Sequence, residues 1–229
     1  CVLSCVFCQN KPISRDLIGE DISVRRLSEL FLELQAAGVH NVNLVTPTQY
    51  TDKICEAIAA VKGKLHIPVV WNSGGYESVE TLKTLEGKVQ IYLPDLKYLD
   101  GKTALRCSDA QDYPEMATAA IREMVRQTGA PQWQGEKLVK GVVIRHLILP
   151  GQVENSLKVL DWIADTFEPG QVLVSLMRQY TPMPGLPAPL DRKITDEEYD
   201  AVLSWMYLND LEGFTQEKTA ADGAYIPAF

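Results

Sequence analysis

The sequence predicts an α/β fold, because helical and extended segments alternate along the chain and such alternation produces parallel strands joined by right-handed crossovers. The composition agrees with this prediction: 46% of the 229 residues are hydrophobic and 23% are charged, as in a domain with a sizeable core. No window approaches the roughly 18 consecutive apolar residues that a membrane span needs. The length and composition therefore indicate one large globular domain and exclude a membrane-spanning chain.

The first half of the chain gives three helix and strand pairs. Ser23 is a suitable N-cap for a helix that ends at Gly38, and Leu27 and Phe31 recur on one face of it. Later strands are recognised as short apolar runs rich in β-branched residues, and later helices by apolar residues three and four apart. Predicted helices cover residues 23–38, 51–61, 78–85, 114–127, 153–166 and 195–208, and predicted strands cover residues 42–45, 67–71, 89–93, 142–149 and 172–177. This pattern leaves both a doubly wound sheet and an α/β barrel open.

The last part of the chain differs in composition from the rest. Four prolines between Pro182 and Pro189 are incompatible with a central strand or a helix interior. Thr195 and Glu198 then form a capping box for the last helix. We therefore expect residues 1–180 to form the α/β domain, and residues 181–229 to supply a proline-rich loop and a C-terminal helix that packs on it.

Charge argues against one class of partner. The formal net charge is −8 with a pI near 5.0, and Lys and Arg do not cluster. A nucleic-acid partner requires a basic surface that releases counterions, so this class is excluded. A small molecule or another protein is the expected partner.

Polar residues and glycines follow the predicted strands, where parallel α/β proteins place their sites. Loops are polar in any case, so each residue taken alone has an ordinary explanation. Together they predict a cleft for a polar ligand. The residues are Thr46, Pro47, Thr48, Asn72, Ser73, Gly74, Gly75, Asp95, Leu96, Lys97, Pro150, Gly151, Arg178, Gln179 and Tyr180.

Three of the five cysteines, Cys1, Cys5 and Cys8, fall in the first eight residues as a CxxxCxxC spacing. Three thiolates on one short loop suit a soft metal centre, either zinc or an iron–sulfur cluster. A four-iron cluster normally takes four cysteines, so three would leave one iron open to a ligand. Zinc would need a fourth ligand, and the histidines do not have zinc-finger spacing. They are His40, His66 and His146. The third alternative is that the three thiols are free and bind no metal.

The remaining cysteines, Cys55 and Cys107, stand alone in helical segments and are expected to be small buried hydrophobic residues. An odd total does not suit a secreted disulfide framework, so a reducing compartment, the cytoplasm, is predicted. Because the chain begins with Cys1 rather than Met, we expect the intact protein to have residues before it.

The segment CVLSCVFCQN resembles the CxxxCxΦC signature of radical S-adenosylmethionine (radical SAM) enzymes, with the aromatic position at Phe7, and Gln9 and Asn10 resemble the pyruvate formate-lyase activating enzyme branch. IYLPDLKYLD is similar to that branch's DxK strand end, and VVIRHLILPG to its arginine-bearing strand. WNSGGYES, YLPDLKY and LMRQYTPMP look most like the activating-enzyme homologues called the PflX group.

The resemblance implies a partial (β/α)6 open TIM-like barrel over residues 1–180, with the first strand missing. It implies an activating-enzyme-like oxidoreductase with a 4Fe–4S cluster on Cys1, Cys5 and Cys8, which are also its catalytic residues. S-adenosylmethionine would bind the open iron and be cleaved to a 5′-deoxyadenosyl radical that takes a hydrogen atom from the substrate. The implied partners are a glycyl radical enzyme as protein substrate and a small redox protein as electron donor.

The resemblance also assigns residues to the cofactor. Phe7 would pack near the adenine or simply plug the site beside the cluster. Asp95 and Lys97 would approach the cofactor, unless they form a surface ion pair. Successive side chains of a strand point to opposite faces, so only one of Arg145 and His146 can face the interior of the barrel, and we predict that it is Arg145. The cofactor-binding set is Phe7, Thr46, Thr48, Asn72, Ser73, Gly74, Asp95, Lys97, Arg145 and Gln179.

One departure from the family is visible. Many members have GGE after the second strand to receive the methionyl amine, whereas this chain has LVTPTQY and no acid there. Thr46 and Thr48 offer hydroxyl and backbone groups but no charge to an ammonium group. Ser73 and Gly74 resemble the turn that follows the third strand in activating enzymes, where the lack of a side chain lets the backbone approach a ligand closely. A tight connecting turn explains these two residues equally well.

Three functions follow as hypotheses. The first is a radical enzyme that installs a glycyl radical in a partner protein. The second is a radical enzyme with a small-molecule or peptide substrate. The third is a zinc or redox binding module on an α/β scaffold, and metal and sulfide analysis of anaerobic protein separates it from the others.

Overall fold

Six parallel strands and one antiparallel strand form the sheet in the computed structural model, which describes residues 1–16 and 18–217. The sheet order is β1-β2-β3-β5-β6-β7, and β4 pairs antiparallel with β5 outside this path. The strands are β1 (Val42–Val45), β2 (Val69–Ser73), β3 (Ile91–Pro94), β4 (Gln132–Gln134), β5 (Lys137–Leu147), β6 (Leu173–Met177) and β7 (Gly213–Phe214).

Helices connect successive parallel strands. They are α1 (Lys11–Ser14), α2 (Val24–Ala36), α3 (Thr51–Ala60), α4 (Val79–Thr84), α5 (Gly101–Ser108), α6 (Tyr113–Thr128), α7 (Val153–Thr166) and α8 (Asp196–Leu208), with a 3-10 turn at Thr48–Tyr50. Ser23 caps α2, and Thr195 with Glu198 forms the predicted capping box of α8. In the part of the chain that the structure describes, no helix combines the length and apolar character needed to cross a bilayer.

The predicted fold class is confirmed: the sheet is open and parallel, with helices, as in a partial TIM-like barrel. The predicted count of five strands is too low, because the described sheet also contains β4 and β7. Strand β7 pairs two residues with β6 and is too short to show an alternation in sequence. Only glycine fits at Gly213, since an added Cβ would lie 1.9 Å from the Val174 carbonyl oxygen.

The main core lies between the sheet and its helices. Alternate strand residues such as Trp71, Tyr92 and Ile144 are fully buried there. The opposite, concave face remains partly open, and Asn43 and Val45 of β1 are exposed on it. The polar residues at the carboxyl ends of the strands therefore gather at one rim of the concave face.

The C-terminal region packs on the domain through α8. The Trp205 Nε1–H group donates to Asp161 Oδ1 of α7 at 2.6 Å. The residues between β6 and α8 form neither a helix nor a strand, as the prolines predict. The remainder of the predicted region, residues 218–229, lies outside the described residues.

His146 holds three elements together on the buried face of β5. Its ring nitrogens contact the Leu96 carbonyl oxygen at 2.7 Å and Ser156 Oγ at 2.9 Å. Arg145 occupies the opposite face, which confirms the predicted orientation of the two neighbours. Burial lowers the pKa of His146 from 6.5 to about 4, so the folded protein holds the ring neutral.

We predict that His146→Gln removes part of the acid sensitivity of folding. Between pH 6.5 and pH 4 the unfolded imidazole binds a proton that the folded one does not, so wild type loses stability as the pH falls. The free energy of unfolding of the variant is compared with that of wild type by urea unfolding at two pH values. From pH 7 to pH 4 it should rise relative to wild type by up to about 3 kcal/mol. The same substitution at exposed His40 is the control, and a pH-independent difference for His146→Gln would contradict this account.

Candidate active site

The cysteine loop, residues 1–8, lies on the carboxyl-end rim of the sheet and is held by the end of α5. The Ser4 N–H donates to the Ser108 carbonyl at 3.1 Å, and the Val6 N–H donates to the Cys107 carbonyl at 2.9 Å. Helix ends leave carbonyls without intrahelical partners, so these two acceptors are available to the loop. Leu3 is buried in the core and anchors the loop further.

The three thiols of the loop have different surroundings. Cys1 is exposed, whereas Cys5 and Cys8 are half-buried. Cys5 Sγ lies 3.0 Å from Ser108 Oγ. Burial raises the pKa of Cys5, and the positive charge of Lys97 offsets part of that effect. All five cysteines are free thiols.

A cleft of about 270 Å³ opens beside the loop and collects the predicted site residues. All of the residues that the resemblance assigns to the cluster and the cofactor, except Thr48, line it: Cys1, Cys5, Phe7, Cys8, Thr46, Asn72, Ser73, Gly74, Asp95, Lys97, Arg145 and Gln179. The wider set of residues that follow the strands is only partly there, since Tyr180 lines the cleft and six others do not: Pro47, Gly75, Leu96, Pro150, Gly151 and Arg178. The strand ends thus bring the lining residues together with the cysteine loop, at the edge of the sheet where the sequence predicts them. Their roles toward a cofactor stay predictions.

Asp95 lies between two cations inside the cleft. It forms an ion pair with Lys97, and Arg145 Nη1 lies 3.6 Å from its Oδ1. The Asp95 and Lys97 side chains are 16% and 15% exposed, so the alternative of a surface ion pair is wrong. Burial favours the neutral acid, but Lys97 and Arg145 outweigh it and keep the pKa of Asp95 below its usual value. Two cations and one anion leave the cleft with a net positive charge, which suits a carboxylate-bearing ligand.

Tyr113 and Gly75 fix the spacing between the ends of β2 and β3. The Tyr113 hydroxyl lies 2.7 Å from the Asp95 carbonyl oxygen and 2.9 Å from the Gly74 carbonyl oxygen, and it accepts from the Lys97 N–H at 3.1 Å. Gly75 has φ +77°, and a Cβ there would meet the Asp95 carbonyl oxygen at 2.1 Å. Asp95 and Lys97 are therefore oriented by groups that do not themselves line the cleft.

Phe7 and Tyr180 form an aromatic wall of the cleft. Their ring centroids lie 5.8 Å apart with the planes at 64°, an edge-on arrangement. The Tyr180 hydroxyl donates to the Leu190 carbonyl at 2.7 Å, which ties this wall to the proline-rich loop. Arg178 lies two residues before Tyr180, but its side chain turns away from the cleft and forms an ion pair with Asp196 at 2.7 Å.

Glu77 is a buried acid beside the site that the sequence analysis did not single out. It is 1% exposed, and its Oε1 accepts from the Thr48 hydroxyl at 2.7 Å. Thr48 is not among the residues that line the cleft, and its hydroxyl is directed to Glu77 instead. The Oε2 atom of Glu77 makes no hydrogen bond within the described residues. An acid two residues after the Gly74-Gly75 turn is the sequence signal that could have revealed it.

The histidines do not join the cysteines. His146 is bonded beneath α7, and neither His40 nor His66 lines the cleft. Among the described residues, no group of three or more Cys, His, Asp or Glu side chains is close enough to hold one metal ion. The three-cysteine ligation stays a prediction, and no histidine stands where a zinc site on this loop would need its fourth ligand.

Comparison with known proteins identifies the fold. No protein-family model matches the chain. The uncharacterized protein MJ0674 of Methanocaldococcus jannaschii is 28% identical over 216 residues, which cover 89% of this chain and 58% of that protein. The chain thus spans little more than half the length of this relative.

Solved structures give the same fold at low identity. SuiB of Streptococcus suis, with S-adenosylmethionine bound, has a TM-score of 0.61 at 17% identity over 95% of this chain and 48% of its own. A radical SAM methyltransferase from Sphaerobacter thermophilus has a TM-score of 0.61 at 12% identity, covering 94% and 63%. A domain of a pyruvate-formate lyase-activating enzyme from Bacteroides vulgatus has a TM-score of 0.53 at 12% identity, covering 77% and 98%. The chain has the fold found in radical SAM enzymes.

We predict that Glu77→Gln stabilises the protein increasingly as the pH rises. Burial raises the pKa of Glu77, with the Thr48 and Ser73 hydroxyls opposing more weakly. Between pH 4.5 and the higher pKa of the folded state, the unfolded carboxyl ionises before the folded one does, so wild type loses stability there with rising pH, and the glutamine variant lacks this loss. Urea unfolding from pH 4.5 to pH 8 measures this difference.

Glu77→Ala is the matched control, because it also removes the acceptor of the Thr48 hydroxyl. We expect it to destabilise the protein by about 1–3 kcal/mol across the same range. A difference between Glu77→Gln and wild type that stays constant with pH would show that Glu77 is ionised in the folded protein.

Proposed function

We propose that this chain binds a 4Fe–4S cluster through Cys1, Cys5 and Cys8, binds S-adenosylmethionine in the adjoining cleft, and generates a 5′-deoxyadenosyl radical. The observation that supports this most is the position of the three thiols on the rim of the same cleft as Asp95 and its two cations. The fold shared with radical SAM enzymes is consistent with it.

The donor set fits such a cluster. Thiolate sulfur is the ligand that iron–sulfur clusters select, and each cysteine binds a different iron, so the sulfurs need not converge on one atom. Three thiols on the rim leave one iron for a ligand that lies in the cleft. When bound and reduced, the cluster supplies the electron that cleaves S-adenosylmethionine to methionine and the radical.

The residues of the cleft would bind and orient the cofactor. Arg145 and Lys97 provide positive charge for the methionyl carboxylate. Asp95 is the acid among the residues that line the cleft, so it supplies the negative charge that the LVTPTQY segment lacks. The Phe7 and Tyr180 wall would cover the cofactor and exclude water from the reacting atoms.

We infer that the target is a partner protein, most simply one that receives a glycyl radical, as the resemblance to the activating-enzyme branch implies. Apolar side chains beside the cleft support a protein partner: Ile22, Val45 and Tyr50 are about half or more exposed. Val45 lines the cleft and also an adjoining groove of about 660 Å³. A small redox protein would donate the electron, and the reducing cytoplasm suits a chain with five free thiols.

A second candidate is a small-molecule or peptide substrate. A cavity of about 470 Å³ on the concave face of the sheet supports it, since Arg145 lines both this cavity and the cleft. Its other walls include Val70, Ile91 and Ser175, which would suit a largely apolar molecule with a polar group. The two candidates differ in what stimulates 5′-deoxyadenosine formation: the macromolecular fraction of a cell extract for a partner protein, the low-mass fraction for a small substrate.

We predict that replacing any one of Cys1, Cys5 and Cys8 by Ala abolishes radical formation, because two cysteines cannot hold a cluster with one open iron. Each variant is reconstituted anaerobically with iron and sulfide, reduced, and supplied with S-adenosylmethionine. Iron, sulfide and 5′-deoxyadenosine are then measured, and all three should fall to background while wild type retains them.

Cys55→Ala and Cys107→Ala are the controls. Cys55 is half-buried and Cys107 fully buried, so both changes should reduce stability modestly and leave iron and product intact. If Cys107→Ala abolished both as fully as Cys5→Ala does, a fourth thiolate would be filling the open site and the proposed function would be wrong. Wild type that takes up zinc but no iron and sulfide would favour the binding module instead.

A further inference from the structure

Ser108 connects the cysteine loop to a buried tyrosine. It is the last residue of α5 and is 1% exposed. Its Oγ lies 3.0 Å from Cys5 Sγ and 3.0 Å from the hydroxyl of Tyr98, which is itself fully buried. The three polar groups form a continuous chain of hydrogen bonds inside the protein.

The chemistry of a ligating cysteine fixes the direction of this chain. A thiolate accepts hydrogen bonds and has no proton to donate. Ser108 has a single hydroxyl proton, so that proton must go to Cys5, and the Tyr98 hydroxyl must then donate to Ser108. Burial raises the pKa of Tyr98 well above its usual value, so its proton is present at neutral pH.

The other two thiols of the loop, Cys1 and Cys8, are less well placed to accept a strong hydrogen bond. Cys8 Sγ lies 3.6 Å from Ser14 Oγ, and Cys1 is exposed to solvent. A hydrogen bond within a low-dielectric interior is electrostatically stronger than one at the surface, and successive donors polarise one another. Cys5 therefore receives the most strongly polarised of these hydrogen bonds.

We propose that the Tyr98–Ser108 chain makes Ser108 a positioning residue that raises the reduction potential of the cluster through Cys5. Hydrogen bonds to cluster sulfurs are among the factors that set the potential, because they stabilise the extra negative charge of the reduced state. This inference rests on the proposed function, since it requires the cluster on Cys5.

The test is a redox titration of the reconstituted cluster in Ser108→Ala and Tyr98→Phe, followed by electron paramagnetic resonance. Both variants should have a more negative potential than wild type, and the shift should be larger for Ser108→Ala, which loses the donor to Cys5 itself. The double variant should match Ser108→Ala, because Tyr98 acts only through Ser108.

Ser28→Ala is the matched control. Ser28 is also buried, on α2, and its hydroxyl contacts the Val24 and Ala57 carbonyls rather than the loop. Its potential should equal that of wild type. Iron content is measured in every sample, so that each potential refers to a loaded cluster.

Unchanged potentials in Ser108→Ala and Tyr98→Phe would overturn the inference. If Ser108→Ala does not load iron, Tyr98→Phe alone decides, since it retains Ser108 and loses only the hydroxyl that polarises it. Failure of the proposed function is a separate result: wild type itself would then hold no reducible cluster.

Discussion

Two backbone hydrogen bonds, from Ser4 and Val6 to the last carbonyls of α5, determine where the site can form. The cysteine loop has no helix or strand of its own, so it takes its position from this contact and from the burial of Leu3 and Phe7. The same contact satisfies carbonyls that a helix end leaves unpaired. As a result the thiols lie on the rim where the parallel strands end, and the cleft has the loop as one of its walls.

The charges of the cleft depend on that arrangement. In a chain of net charge −8, Lys97 and Arg145 place two cations around Asp95 in a partly enclosed space. Arg145 Nη1 also donates to Asn72 Oδ1 at 2.5 Å, which connects β5 with β2 across the rim. Fixed charges of both signs in a small cleft suit a zwitterionic ligand, and the amino acid end of S-adenosylmethionine is one.

Much of this arrangement could be predicted from local sequence pattern. Strand alternation placed Arg145 and His146 on opposite faces, and the rule that parallel strands end at one edge placed Asn72, Asp95 and Gln179 in one cleft. These predictions succeed because each depends on the period or the end of a single element.

The parts that sequence did not predict depend on contacts between distant residues. Ser108 meets Cys5 across 103 positions, and Glu77 meets Thr48 across 29, so no local pattern marks either pair. Strand β7 is two residues long and exists because Gly213 allows the backbone to approach β6 closely. Thr48 follows its strand like the other site residues, yet its hydroxyl turns to a buried acid.

The most direct test of the central claim, that three cysteines hold a cluster with one iron open to S-adenosylmethionine, is Mössbauer spectroscopy of protein reconstituted anaerobically with iron-57. The spectrum is recorded before and after S-adenosylmethionine is added. We expect the signal of a single iron site of the cluster to change on addition while the other sites keep theirs. A spectrum that S-adenosylmethionine leaves unchanged in a fully loaded cluster would contradict the claim.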